Sequence, residues 1–405
     1  MCENTMKKNL NFLAILLVLL VINSQISVRS EKVQTDNVLT IYTYDSLLAD
    51  PGYDFIGAFA NHSRISKDDI NLILLSDANQ IVTRLTLEKD SPEADVVIGI
   101  DNVLIYNTKK NNLLKSYNSP ELVNISSDLI ANLDSEKFVL PYDYGIIALY
   151  YDMNRINTTT NPEISNITLE GIIENDLDKK LIIENPTLSS TGLGFLLWTI
   201  AVYGDPEIDF KGMLDQDWRN WWKNSKDDIR IAPSWGAAFG EWYEGEENRS
   251  IMVSYGTSPA YSACLYNDTS QGAFLSHENG TQNAWLQIEG IGLVNNAPHE
   301  DLAKDFIDWF LSKELQDNIA ENNWMYPANQ HAEVSITFNE SAINPEHVNI
   351  LNSLISSETI GANLQGWMDD WETLMSTGLN ISGYNSIFII IALLGAVVIL
   401  KKKIR

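Results

Sequence analysis

Five histidines, at positions 62, 277, 299, 331 and 347, are the first residues to weigh for chemistry, and none stands in His-Glu-x-x-His spacing. The chain has no Gly-x-Ser-x-Gly elbow and no phosphate-loop motif. Gly192-Leu193-Gly194 is a lone Gly-x-Gly. The acid pairs Asp176/Asp178 and Asp215/Asp217 lack the spacing and the glycine of a calcium loop. These patterns point away from an enzyme, and they call for neither a metal nor a cofactor.

A different set of residues stands out by position. Tyr42, Tyr44 and Asp45 close the first β-rich run, Asp77 follows the second and Asp101-Asn102 follow the third. Ser189-Ser190-Thr191 open a helical stretch, Trp235 opens another, Tyr255 ends a strand with Tyr261 close behind, and Trp324-Met325-Tyr326-Pro327 form a loop. In open α/β sheets, ligands bind beyond the carboxyl ends of the strands. Free N–H groups at helix starts suit an anion. Aromatic faces suit a flat or cationic ligand, at about 0.5–2 kcal/mol each. Taken singly, an aromatic is more often core, and Asp77 alone is a helix cap. Their shared placement is what carries meaning.

The elements that must position them alternate. Val38–Tyr44, Ile70–Ser76 and Ala94–Ile100 read as apolar strands, with helices over 54–61 and 78–89 between them. Such alternation predicts a parallel sheet covered on both faces. Phe138–Asp152 starts extended, turns at Pro141 and runs on as a long strand. A second α/β series follows: strands at 181–184, 228–231 and 250–254, and helices at 192–203 and 234–243. Ala284–Val294 reads as another long strand, and amphipathic helices over 301–320 and 363–375 follow. Two α/β lobes joined by crossing strands near 138–150 and 284–294 are expected, with residues 38–141 and 288–378 as lobe 1 and 142–287 as lobe 2.

Composition narrows the class. With 11 Trp, 16 Tyr and 12 Phe in 405 residues the chain is no disordered acidic tail. It carries 27 Lys+Arg against 54 Asp+Glu, a net charge of −27, which speaks against nucleic-acid binding by phosphate neutralisation. Residues 1–32 are net +2 and residues 401–405 net +4, leaving −33 between them.

Both basic ends flank apolar runs. Lys7-Lys8 precede the run 12–22, so residues 1–30 read as a signal peptide. Residues 387–400 are apolar and extend to 383–400 with milder residues, with the basic tail 401–405 behind. The expectation is a chain on the outer face of the cell membrane, anchored in a single pass by 383–400. Nine Asn-x-Ser/Thr sequons make it a glycoprotein candidate. Without the leader, Cys264 is the only thiol.

Several blocks carry a family resemblance: Leu39-Thr40-Ile41-Tyr42-Thr43-Tyr44-Asp45-Ser46, the run 94–102, Pro141-Tyr142-Asp143-Tyr144-Gly145, the run 192–198, Ser254-Tyr255-Gly256-Thr257-Ser258-Pro259-Ala260-Tyr261, and Asn323-Trp324-Met325-Tyr326-Pro327. Together, across about 38–376, they resemble the thiamine-binding proteins of ABC importers. The resemblance implies a two-lobed periplasmic-binding-protein fold of type II, with two hinge crossings. It implies a monomer that takes thiamine or thiamine phosphate into its cleft and delivers it to an ABC permease. Tyr44, Trp235, Tyr261 and Trp324 would pack on the rings, while Asp77, Ser189, Ser190 and Tyr255 would make polar contacts. Two positions depart from the pattern: Ala78 stands for a glycine, and the run 185–190 lacks the arginine of the usual Asp-Pro-Arg-Thr-Ser-Thr, removing a phosphate partner. From the residues alone, a receptor for a polyamine or for iron, an exported hydrolase and a surface protein stay open. Tyr150-Tyr151 point to opposite faces of a strand, which argues against iron.

Overall fold

The computed structural model describes residues 39–376 apart from 157, 246 and 247. The expected signal peptide, the segment 383–400 and the basic tail lie outside these residues. In the first half, β1 (Leu39–Tyr44), α1 (Phe55–Ser63), β2 (Ile70–Leu75), α2 (Ala78–Glu88), β3 (Val96–Asp101), α3 (Ile105–Lys110), β4 (Leu114–Lys115) and α4 (Ser127–Asp134) lead into the 13-residue β5 (Leu140–Asp152). The second half holds α5 (Leu169–Glu174), β6 (Leu181–Glu184), α6 (Ser190–Tyr203), α7 (Trp218–Ser225), β7 (Arg230–Ala232), α8 (Trp235–Glu244), β8 (Ile251–Tyr255), α9 (Ser258–Tyr266) and β9 (Gln271–Phe274). The chain returns through β10 (Asn283–Ala284), β11 (Leu286–Val294), α10 (Glu300–Leu311), α11 (Lys313–Gln316), β12 (Tyr326–Pro327), α12 (Ile336–Ser341), β13 (Asn349–Ile350) and α13 (Ser357–Ser376).

The strands run in the order β2-β1-β3-β11-β5-β8-β6-β7. β1 is parallel to β2 and β3, and β6 is parallel to β7 and β8, as near-continuous apolar strands between helices require. β5 links the two sets: residues 140–146 pair with β11, and residues 147–152 pair with β8 and β9. The expected turn at Pro141 does not form. β5 runs through it with a register shift, so that Gly290 faces Pro141, Glu289 faces Asp143, and Tyr142 is the extra residue. A proline that donates no N–H is tolerated in a strand at such a bulge.

The helices form where their caps predict. Asp54 caps α1 by accepting from Gly57, and Asp77 caps α2 by accepting from Asn79. Helix α6 is apolar all round because it is buried on all sides. Its Gly192 and Gly194 serve packing: a Cβ at 192 would come 2.4 Å from the Glu184 carbonyl oxygen, and one at 194 would come 2.9 Å from Ile147. The helix expected over 301–320 breaks at Ser312, whose ψ is 158°.

The last helix, α13, lies against both halves. Gly361 sits under the ring of Tyr106 in α3, where a Cβ would come within 2.3 Å. Further along, Trp371 meets Trp222 of α7 edge-on, and Arg219 bonds Asp370. At 20 residues α13 is the longest described helix, yet Glu358, Asp369, Asp370 and Glu372 line it. Among the described residues no helix is long and apolar enough to cross a membrane.

Candidate functional site

Two groups of side chains meet where the halves join. The first is aromatic. Trp235, the first residue of α8, stacks on Phe239 at 5.3 Å and 13°, and its indole N–H donates to Ser254 Oγ at 2.8 Å. Phe239 stands edge-on to Tyr261 of α9 at 6.2 Å, and Tyr261 edge-on to Trp324 at 5.1 Å. The loop after β1 closes over the far end: the Tyr261 hydroxyl donates to Asp50 Oδ2 at 2.7 Å, and the Trp324 indole to the Asp50 carbonyl at 2.7 Å. These rings are half-buried, whereas Trp198, Trp221 and Trp222 are fully enclosed in the core. Trp324 holds φ at 57°, an unusual conformation for a bulky residue.

The second group is polar. Tyr44, at the end of β1, donates its hydroxyl to Glu289 Oε2 at 2.8 Å and lies 2.9 Å from the Tyr142 hydroxyl. Its ring packs over Gly99, where a Cβ would come 2.6 Å from Tyr44 Cδ1; the φ of 105° at Gly99 also favours glycine. Tyr142 donates to the same Glu289 oxygen at 2.6 Å. Asn323, the residue before Trp324, belongs to the polar group: its amide donates to Asp143 Oδ2 at 2.6 Å and to the Tyr44 hydroxyl at 3.2 Å, while its oxygen accepts from the Leu48 N–H at 3.0 Å.

Of the remaining expected residues, Tyr255 ends β8 with its hydroxyl 3.5 Å from Thr191 Oγ1. Ser189 is buried at the cap position of α6 without a side-chain capping bond, and Ser190 opens the helix. The Asp77 carboxylate, in the first half, lies near the Ser190 backbone N–H of the second. Burial raises its carboxyl above the ordinary value against the pull of these donors. The structure thus brings Trp235, Tyr261 and Trp324 into one row, bonds Tyr44 to Asn323, the residue before Trp324, and sets Asp77 near Ser190.

Sequence reasoning missed Asp50, Phe239, Asn323, Tyr142, Asp143 and Glu289 as members of these groups. A signal existed for some. Tyr142 and Asp143 lie inside the quoted Pro-Tyr-Asp-Tyr-Gly block, and Glu289 is a carboxylate in the middle of an otherwise apolar buried strand, Leu286–Val294. Among the described residues no group of three His, Cys, Asp or Glu side chains is arranged to hold a metal. Tyr150 and Tyr151 face opposite ways, one against Trp242 and the other against Phe274.

Comparison with known proteins places the chain. Residues 91–343 match the family described as bacterial extracellular solute-binding protein. The chain is 30% identical over 342 residues to the thiamine-binding periplasmic protein of Escherichia coli (strain K12), covering 84% of this chain and 94% of that relative. It is 28% identical over 340 residues to the protein of the same name from Brucella suis biovar 1, covering 84% and 92%. A solved structure titled periplasmic thiamin binding protein superimposes with a TM-score of 0.68 at 27% identity, covering 83% of this chain and 96% of that one. The ferric binding protein from Campylobacter jejuni, at 20% identity and a TM-score of 0.65, shares the two-lobed fold. The two thiamine-binding relatives are named as periplasmic proteins, which corrects the expectation of a single-pass chain anchored on the outer face of the membrane by 383–400. Among the described residues no helix is long and apolar enough to cross a membrane, and 383–400 lie outside them.

Proposed function

This chain belongs to the family of bacterial extracellular solute-binding proteins, and from that premise we propose that it is the substrate-binding receptor of an ABC importer whose ligand is thiamine. The observation that carries the reading is the half-buried row Trp235–Phe239–Tyr261–Trp324, set near the buried carboxylates Asp143 and Glu289, whose side-chain donors are Tyr44, Tyr142, Gln287 and Asn323, all neutral. Thiamine is a two-ring cation, and aromatic faces attract such a ligand by stacking and by cation–π contact.

In this reading Tyr44, Trp235, Tyr261 and Trp324 hold the rings, and Asp77, Ser189, Ser190 and Tyr255 make the polar contacts. Residues 38–141 with 288–378 form one lobe and 142–287 the other. The crossings near 138–150 and 284–294 act as hinges, so that closure buries the ligand and presents a closed receptor to the permease. The receptor works as a monomer and performs no covalent step. Asp77 bears on the phosphate question. Its carboxylate lies near the Ser190 N–H at the start of α6, where a phosphate would gather N–H donors, and like charge repels it there. Free thiamine is therefore favoured over its phosphate esters.

Titration calorimetry of the purified protein with thiamine, thiamine monophosphate, spermidine and ferric citrate tests this reading. Heat with thiamine at sub-millimolar concentration supports it. No heat with either thiamine form would sink it.

A further inference from the structure

We propose that Asp143 and Glu289, paired across the two strands that join the halves of the fold, form the subsite that takes the positively charged ring of the ligand and so select a cation over a neutral molecule of the same shape. The inference rests on the thiamine reading above and deepens it by naming the groups that read charge.

The geometry comes first. Asp143 on β5 and Glu289 on β11 are directly opposite in the antiparallel ladder. Asp143 is 0% exposed and Glu289 9%. Four side-chain donors reach them, and all are neutral: Tyr44 and Tyr142 to Glu289 Oε2, Gln287 to Glu289 Oε1 at 2.8 Å, and Asn323 to Asp143 Oδ2. The remaining oxygen, Asp143 Oδ1, is buried with no hydrogen-bond partner. A buried carboxylate without a cation is costly, and two facing each other are more so.

The surrounding elements add charge of the same sign. Asp101, from β3, is 2% exposed and bonds only the N–H groups of Val103 and Leu104. Asp77 faces Glu289 from the start of α2, and Tyr44, Tyr142 and Tyr255 present hydroxyls from β1, β5 and β8. Burial and the neighbouring Glu289 push the Asp143 carboxyl well above its ordinary range, and burial raises Glu289. Without ligand the pair therefore gives up its protons less readily than exposed carboxyls do. A structural role would be met by amides, which accept the same bonds and leave no charge unmet. A carboxylate pair leaves a deficit that only a cation fills. The deficit adjoins the aromatic row, because Asn323 holds Asp143 and precedes Trp324.

The test uses two ligands: thiamine, and its neutral isostere in which a thiophene replaces the thiazolium. Affinities of the wild type, Asp143→Asn and Glu289→Gln are measured by calorimetry between pH 5 and pH 8. The wild type should prefer thiamine by about 30-fold or more, the scale of a desolvated charge contact. Each variant should lose most of that preference, because thiamine is weakened more than the isostere. Thiamine affinity in the wild type should rise with pH as the pair's protons leave, and the heat should depend on the buffer's ionisation enthalpy. Equal affinity of the wild type for both ligands, or full preference retained in both variants, overturns the subsite. No binding of thiamine at all overturns the reading beneath it as well. The wild-type comparison needs no substitution, so it decides the matter even where a variant fails to fold.

Discussion

The ring of Tyr261 stands edge-on to that of Trp324, with centroids 5.1 Å apart and planes at 80°, and both side chains bond the same residue, Asp50. Three segments distant in sequence thus converge: the loop after β1, helix α9, and the turn before β12. Edge-to-face pairs of this kind contribute about 0.5–1.5 kcal/mol beyond their burial. Here the rings are only half-buried, so their faces stay available to a ligand when the loop moves.

Tyr261→Ala and Trp324→Ala should each weaken thiamine binding by about 1–3 kcal/mol, as loss of a buried aromatic anchor does. Calorimetry measures it, and unchanged affinity in both variants would mean that these residues are not the ligand's anchors. Because Trp324 holds φ at 57°, Trp324→Gly should also resist urea at least as well as Trp324→Ala.

A second prediction concerns pH. Glu184 ends β6, fully buried, with neither carboxylate oxygen bonded, and burial pushes its carboxyl up to about 8 from an ordinary 4.5. The folded form therefore keeps a proton that the unfolded form has lost at intermediate pH. Its contribution to stability is fully present below the unfolded value and is lost as pH rises through the folded one, by up to about 1.4 kcal/mol per pH unit. Asp101, raised to about 7 by burial, acts with the same sign. Glu184→Gln should flatten the fall in unfolding free energy between pH 5 and pH 8, leaving the slope due to Asp101 and the other raised carboxyls, Asp77, Asp143 and Glu289. Superimposable urea-melt profiles for the two proteins would refute it.

Much of this arrangement was legible in the sequence, and the reason is physical. Strand and helix alternation sets the parallel sheet, and caps such as Asp77 and Asp54 mark the helix starts, so residues at strand ends could be placed without coordinates. The Asp143–Glu289 pairing was not legible, because register across β5 and β11 depends on the bulge at Tyr142, and a bulge leaves no local pattern. Asn323 was hidden for a different reason: its three bonds run to partners at positions 44, 48 and 143, and no spacing encodes contacts at such separations.

Arg219 supports the join between α13 and the second half. It bonds Asp205 at 2.8 Å and Asp370 at 2.8 Å, and Asp205, whose side chain is 1% exposed, also accepts from the Trp367 indole at 2.7 Å. Burial works to raise the Asp205 carboxyl, yet Arg219 and Trp367 hold it below its ordinary value. Arg219→Ala would leave that carboxylate buried without its cation, at a cost of about 3 kcal/mol. The loss should be largest near neutral pH and shrink in acid, as Asp205 protonates in the wild type too. Urea unfolding at pH 7 and pH 3 measures both parts. A stability change under 1 kcal/mol at pH 7, well below the scale of a broken buried pair, would show that the network is merely decorative.

The last prediction concerns which form of the vitamin binds. Asp77 caps α2 through Asn79 and lies near the Ser190 N–H at the head of α6. A phosphate arriving there meets a carboxylate that repels it. Asp77→Ser keeps a hydroxyl able to cap α2, since serine caps about as well as aspartate, and it removes the charge. The positive end of α6, no longer faced by a carboxylate, should then favour an anion. The ratio of thiamine monophosphate to thiamine affinity should rise by about tenfold relative to the wild type, the scale of one charge at a helix start. Both ligands are measured on both proteins, so a general loss of binding in the variant cancels from the ratio. An unchanged ratio would mean that Asp77 does not discriminate, and that the missing arginine in the run 185–190 alone limits the phosphate esters.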